Sequence, residues 1–211
     1  MPPEFDWTGS ENLRVSEVLY PPPHRFSDKS GQTIGYKEHV IFPVFILATE
    51  NAKSFKLKLK VTFGACKELC VPAEAQLELL VPNAIGASPE LKEVRSKVPV
   101  RLYSLDSKSF EAKSTEAQFL PWLNASRIDD ASGKPKLVLE VNDPGVTGGD
   151  AFLYSPDNLY LPLPKKISEA DGKAVYEADL SDSFNDLKGK SIGVVLTGAK
   201  GQSETMIQIP K

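Results

Sequence analysis

Ser54-Phe-Lys-Leu-Lys-Leu-Lys-Val-Thr-Phe63 runs through Gly64-Ala-Cys-Lys-Glu-Leu-Cys-Val-Pro72 into Ala73-Glu-Ala-Gln-Leu-Glu-Leu-Leu-Val81, and this stretch decides the fold. In its first arm Phe55, Leu57, Leu59, Val61 and Phe63 alternate with Lys56, Lys58, Lys60 and Thr62. In its last arm Ala73, Ala75, Leu77, Leu79 and Val81 alternate with Glu74, Gln76 and Glu78. A period of two is the pattern of a half-buried strand with one wet face. Folding the two arms together about Glu68 sets Phe63 opposite Ala73, Val61 opposite Ala75 and Leu59 opposite Leu77. The wet face then opposes Lys60 to Gln76 and Lys58 to Glu78, a favourable cross-strand pattern. A slip of one residue would turn every apolar side chain to solvent, so the register is well specified. The same register places Cys66 directly opposite Cys70.

These are the only two cysteines in 211 residues. Their Cα atoms can approach to bonding distance only if Lys67-Glu68-Leu69 turns back, as the hairpin requires. Gly64 and Pro72 flank the pair, and Pro72 withdraws a ladder donor, which predicts that regular pairing fails around the sulfurs. A disulfide here closes a very short ring, and short rings remove little entropy from the unfolded chain. That argues against a staple and for a labile, exposed pair. Three readings stay open on spacing alone: redox exchange, a structural disulfide, and a soft-metal site. Lys67 favours a thiolate and Glu68 opposes it, so the sequence predicts no strongly activated thiol. Among further ligands, His24, His39, Met1 and Met206 stand at no ligand spacing, which leaves two-coordinate copper(I) as the metal alternative.

Other chemistries are thinner. Gly145-Val-Thr-Gly-Gly-Asp150 lacks the lysine and helix of a phosphate loop. No serine-nucleophile elbow accompanies the two histidines. Asp129, Asp130 and Asp143 read as turn residues, and Trp7 and Trp122 as packing residues. The net charge of −3 offers no basic field for nucleic acid. No apolar run approaches the ~20 residues of a membrane span. The N-terminus, Met-Pro-Pro-Glu-Phe5, lacks the basic and apolar regions of a secretory signal.

Seventeen prolines and fourteen glycines punctuate short alternating runs, which predicts an all-β chain. Residues 1–36 read as irregular, with an exposed loop at 24–32, and Tyr36–Leu47 as a strand pair or a bent strand. Pro82–Pro99 breaks the pattern, and Ser88 with Pro89 predicts a short capped helix to Val98. Beyond it a helix-like patch spans Thr115–Ala125. Strands are expected at Lys136–Val141, Ala151–Tyr154, Leu159–Leu163, Ala174–Leu180, Ile192–Thr197 and Glu204–Ile209. Such spacing is that of a second antiparallel sandwich. The expected organisation is a first domain over 1–86, a linker with a short helix over 87–97, and a second β-sandwich over 98–211.

Tyr36-Lys-Glu-His-Val-Ile-Phe-Pro-Val44, the lysine/leucine strand and Phe63-Gly-Ala-Cys-Lys-Glu-Leu-Cys-Val-Pro-Ala-Glu74 together resemble the periplasmic N-terminal domain of the DsbD family of thiol:disulfide interchange proteins. The three-residue cysteine spacing and the Cys-Val-Pro-Ala-Glu-Ala continuation are more similar to the ScsB branch. The resemblance covers residues 20 to 82. It implies an immunoglobulin-like fold, hence two such sandwiches in tandem, with the cysteine pair at a hairpin end. It implies a protein-disulfide reductase component that needs no cofactor beyond its redox-active disulfide. Electrons would arrive from a membrane-embedded partner domain through a thioredoxin-like domain and leave to periplasmic substrate proteins. Cys70 matches the cysteine of the intermolecular bond, and Cys66 would resolve it. Phe26, with His24 beside it, matches the aromatic of a cap loop that shields the pair. The chain has no membrane span and no thioredoxin-type Cys-x-x-Cys, so it is expected to be one station of an electron path. The expected location is the periplasm, with the signal removed.

Overall fold

The computed structural model describes residues 3–29, 31–51, 53–66, 69–82, 89–102, 121–143 and 148–211. The described residues form fifteen strands and two short helices, which is the all-β organisation expected. In chain order the first elements are β1 (Glu4–Asp6), β2 (Leu13–Val18), β3 (His24–Asp28), β4 (Gly31–Gly35), β5 (Val44–Ala48), β6 (Phe55–Cys66), β7 (Cys70–Val81) and α1 (Pro89–Ser96). There follow β8 (Val100–Arg101), β9 (Trp122–Asp129), β10 (Lys136–Asn142), β11 (Asp150–Tyr154), β12 (Lys165–Ala170), β13 (Lys173–Asp179), α2 (Phe184–Leu187), β14 (Ser191–Gly198) and β15 (Gly201–Gln208). They gather into two compact units, Met1–Tyr20 with His39–Arg95, and Pro21–Glu38 with Ser96–Lys211.

In the first unit β6 and β7 form the long hairpin, and β1 extends it to a three-stranded antiparallel sheet in the order β1-β6-β7. Strand β2 pairs antiparallel with β5. Asn12, just before β2, organises the connection between β5 and β6. It adopts a positive φ of 61°, which asparagine tolerates. Its side-chain amide donates to the carbonyls of Glu50 (3.0 Å) and Lys53 (2.9 Å), and its Oδ1 accepts from the Glu50 amide (2.7 Å). Phe5, Tyr20 and Phe42 meet edge to face, with centroids 5.4–6.1 Å apart.

The second unit contains two four-stranded sheets, β12-β13-β10-β9 and β11-β14-β15-β8. Their inward residues make one core: Leu137, Leu139 and Val141 from β10, Ala174, Tyr176 and Ala178 from β13, Ile192, Val194 and Leu196 from β14, with Leu180, Leu187, Ile207 and Ile209. Asp171 and Gly172, both at positive φ, join β12 to β13 as a two-residue turn, a conformation that an Asp-Gly pair suits. The β3–β4 hairpin belongs to this unit, held through Arg25. Its Nε and one terminal nitrogen donate to the two oxygens of Asp150 (2.8 and 2.9 Å), and the latter nitrogen also reaches the Pro164 carbonyl (3.0 Å).

The structure corrects several expectations. Residues 1–36 carry four strands where none was expected. Each has only three to six residues, too few to show a period. The segment 24–32 is therefore hairpin β3–β4, not an exposed loop. Of Tyr36–Leu47 only Val44 onward is strand; Glu38 takes a positive φ of 64°, which breaks the extended run. Of the helix-like patch, Trp122–Ala125 is the start of strand β9, with Pro121 just before it; residues 115–120 lie outside the described residues. Leu159–Leu163 is not a strand. The strand is Lys165–Ala170, exposed along its whole length at a sheet edge, where no apolar alternation is demanded. Helix α1 begins at Pro89 as expected, while the capping residue Ser88 lies outside the described residues.

Candidate functional site

The hairpin register is the one its two alternating arms predict. Leu59 faces Leu77, Val61 faces Ala75, Phe63 faces Ala73, Lys60 faces Gln76 and Lys58 faces Glu78. Pairing does not fail near the sulfurs. It continues through Gly64 opposite Pro72 and Ala65 opposite Val71 to Cys66 opposite Cys70. The reason is that β7 lies at the edge of its sheet, where a proline can turn its missing donor to the open side.

Cys66 and Cys70 are joined by a disulfide, with a Cα–Cα separation of 4.0 Å. That is nearer the closely spaced class of antiparallel pairs, about 4.5 Å, than the wide class of about 5.5 Å. Both residues are exposed. Strand alternation puts them on the wet face of the hairpin, beyond Gly64 and Pro72, which place no long side chain beside the sulfurs. The ring spans a sequence separation of four. A loop of about five residues is worth only about 2 kcal/mol of unfolded-state entropy, against about 3 for a 15-residue loop.

Further along the same face the ion pairs run diagonally rather than straight across. Lys60 pairs with Glu74 at 2.8 Å and Lys56 with Glu78 at 3.1 Å. The direct opposition of Lys58 and Glu78 is thus bypassed, because strand twist brings diagonal neighbours within reach of long side chains. The hydrogen bond from Lys60, with a second from Gln76, holds the Glu74 carboxyl below its ordinary range, and the same bond raises Lys60. Two of the three lysines on this face are therefore matched by Glu74 and Glu78.

His24 and Phe26 lie on β3 and meet edge to face, with centroids 6.5 Å apart. They belong to the second unit, and the disulfide belongs to the first. The structure thus joins Cys66 with Cys70 within the first unit and His24 with Phe26 within the second. Asp129 and Asp130 serve the turn after β9, as expected: Asp129 Oδ1 accepts from the Ala131 amide and the Asp130 carbonyl from the Gly133 amide. Trp7 and Trp122 are each half-buried. Among the described residues no group of three or more His, Cys, Asp or Glu side chains is placed to hold a metal, and no helix is long and apolar enough to cross a membrane.

Sequence reasoning missed Arg25, whose importance rests on a carboxylate 125 positions away. It also passed over Leu69 and Val71, two exposed apolar residues on either side of Cys70. The signal for Leu69 was available: an apolar residue in a hairpin tip, where polar residues and glycine are the usual choice.

A disulfide so placed can open and close without disturbing a core. A thiolate needs only a clear line to either sulfur, and the leaving sulfur stays tethered opposite its partner. No curated protein sequence matches the chain. Residues 1–82 match the family model described as thiol:disulfide interchange protein DsbD, N-terminal, so that segment, with both cysteines, is similar to a family whose business is the exchange the hairpin tip permits.

Proposed function

We propose that this protein is a thiol:disulfide oxidoreductase component that passes reducing equivalents to exported proteins through Cys66 and Cys70. The observation that carries this reading is an exposed disulfide between directly opposed residues at the free end of a hairpin, in the segment matched by the interchange family. Each turn transfers two electrons and needs no cofactor beyond the cysteine pair. A donor dithiol, a thioredoxin-like protein or domain supplied in turn by a membrane-embedded partner, attacks the Cys70 sulfur. The Cys66–Cys70 bond breaks and Cys66 leaves as a thiolate. The donor's second thiolate then attacks the mixed disulfide, so the donor is oxidised and the pair is released reduced. In the second half, the Cys70 thiolate attacks a substrate disulfide and expels one substrate thiolate. Cys66 then attacks Cys70 in the mixed disulfide, expels the second, and the substrate takes up two protons. The periplasm is the compartment in which such substrates carry disulfides. The relation to the ScsB branch belongs to this proposal, as does the role of Phe26 and His24 as a cap.

Equilibration with dithiothreitol or glutathione buffers tests it. The folded protein is expected to show one two-electron midpoint, and Cys66→Ser to accumulate mixed disulfides through Cys70 that mass spectrometry identifies. A pair that resists reduction until the hairpin unfolds would make the bond structural. Tight, stoichiometric copper(I) binding by the reduced protein, lost in Cys66→Ser, would instead favour metal handling.

A further inference from the structure

Leu69 is the most exposed large hydrophobic side chain among the described residues, at 80%, and Val71 is 56% exposed. They stand immediately before and after Cys70. A lone exposed leucine needs no explanation. Two exposed apolar residues flanking Cys70 in sequence do need one, because neither is buried in the fold. Leu69 sits in the turn, outside the paired ladder. Val71 pairs with Ala65, itself exposed, on the face opposite the sulfurs, beyond the half-buried Phe63 and Ala73.

The second observation is charge. On the sulfurs' face Lys60 and Glu74 neutralise each other, and Lys67 and Glu68, between the cysteines in sequence, have formal charges that sum to zero. An approaching protein therefore meets no net charge from these four residues. Cys66 is preceded only by Ala65, so of the two cysteines it is Cys70 that has large exposed apolar residues as its sequence neighbours.

We infer that Leu69 and Val71 are specificity-determining residues. They seat against an apolar rim beside the reactive cysteine of a partner dithiol protein and deliver its thiolate to Cys70 rather than Cys66. This rests on the exchange function proposed above and adds the chemistry by which the partner is selected. The bond that forms joins the partner sulfur to Cys70 Sγ, the bond that breaks is Cys66–Cys70, and the electron pair leaves on Cys66. Recognition by apolar contact rather than charge also means that the encounter is not steered electrostatically, so ionic strength has little leverage on it.

The test compares Leu69→Asn, Val71→Asn and Leu69→Met with the unaltered protein, all neutral changes that leave the field at the sulfurs alone. Rates of reduction are followed with two probes, reduced thioredoxin and dithiothreitol. Both Asn variants are expected to react with thioredoxin roughly tenfold more slowly, the loss expected from removing a leucine-sized apolar contact. Reaction with dithiothreitol is expected within about twofold of the unaltered protein, and Leu69→Met to regain most of the thioredoxin rate. Raising salt from about 0.05 to about 0.5 M is expected to change the thioredoxin rate by less than about twofold. Equal slowing with both probes would make the residues determinants of sulfur geometry and overturn the inference. Unchanged rates with both would overturn it too, as would a steep fall with salt, and in these cases the exchange function still stands. An unaltered protein that neither probe reduces removes the exchange function itself, and this inference with it.

Discussion

Leu59 faces Leu77 across the β6–β7 hairpin, and Leu139 faces Tyr176 across β10–β13. The two pairs are alike in register and differ in fate. Leu139 and Tyr176 are 0% and 2% exposed, whereas Leu77 is 58% exposed and Leu57 alone among the hairpin's apolar residues is buried. The second unit closes two sheets on a shared core. The first holds a long ribbon whose apolar face is only partly covered. The contrast teaches where stability and reactivity reside. A disulfide in the closed core would be shielded from any thiolate, while one at the ribbon's end can be remade repeatedly with little at stake.

The largest effects should break the closed sandwich. Leu139→Ala is expected to cost about 2–5 kcal/mol in the second unit's urea transition. Leu77→Ala should stay within roughly 0.5 kcal/mol in the first, as exposed changes usually do. Comparable losses at the two positions would erase the contrast. Next in size, Arg25→Ala removes a two-pronged charged contact and two carbonyl contacts at once. It should lower the stability of the second unit by about 1.5–3 kcal/mol. Arg25→Lys should recover only part of this, since a point donor cannot span both Asp150 oxygens. Calorimetry that places the loss in the first unit would misassign the β3–β4 hairpin.

Reduction of the disulfide is expected to cost the first unit about 2 kcal/mol at most and the second nothing, read from paired chemical denaturation with and without reductant. The smallest effect belongs to pH. Glu74 has its pKa lowered in the folded protein, so its contribution is present above its unfolded value and lost as pH falls through the lower, folded one. Lys60 is raised, so its share persists below its unfolded value and is lost as pH rises through the higher, folded one. The pair is fully exposed to solvent screening and moves stability little, but carboxyl chemical shifts report it directly. Lys60→Met should raise the Glu74 midpoint, and an unchanged midpoint would mean that the diagonal pair does not form.

How much of this was legible follows from how local each signal is. The hairpin could be read residue by residue, because ten alternating apolar positions and a required register over-determine it. The buried strands β10, β13 and β14 were equally plain. Strands β1 to β4 were not, since three to six residues carry no measurable period. Strand β12 hid because an exposed edge strand makes no apolar demand. At the site, the opposition of Cys66 and Cys70 was legible from register alone. The continuation of pairing past Pro72 was not, because it depends on β7 being an edge, a fact of topology. Arg25 depends on a carboxylate that only the folded chain brings near.

Three peptide bonds, at Tyr20–Pro21, Glu38–His39 and Arg95–Ser96, carry the chain from one unit to the other. The β3–β4 hairpin is thus an arm lent by the N-terminal half to the C-terminal half and locked there by Arg25. A fragment ending near residue 86 would carry that arm with nothing to grip, and one starting at Ser96 would lack its fastening. Cleavage between Arg95 and Ser96, by contrast, should yield two polypeptides that migrate as one particle until denatured: a cut chain, but not a divided molecule.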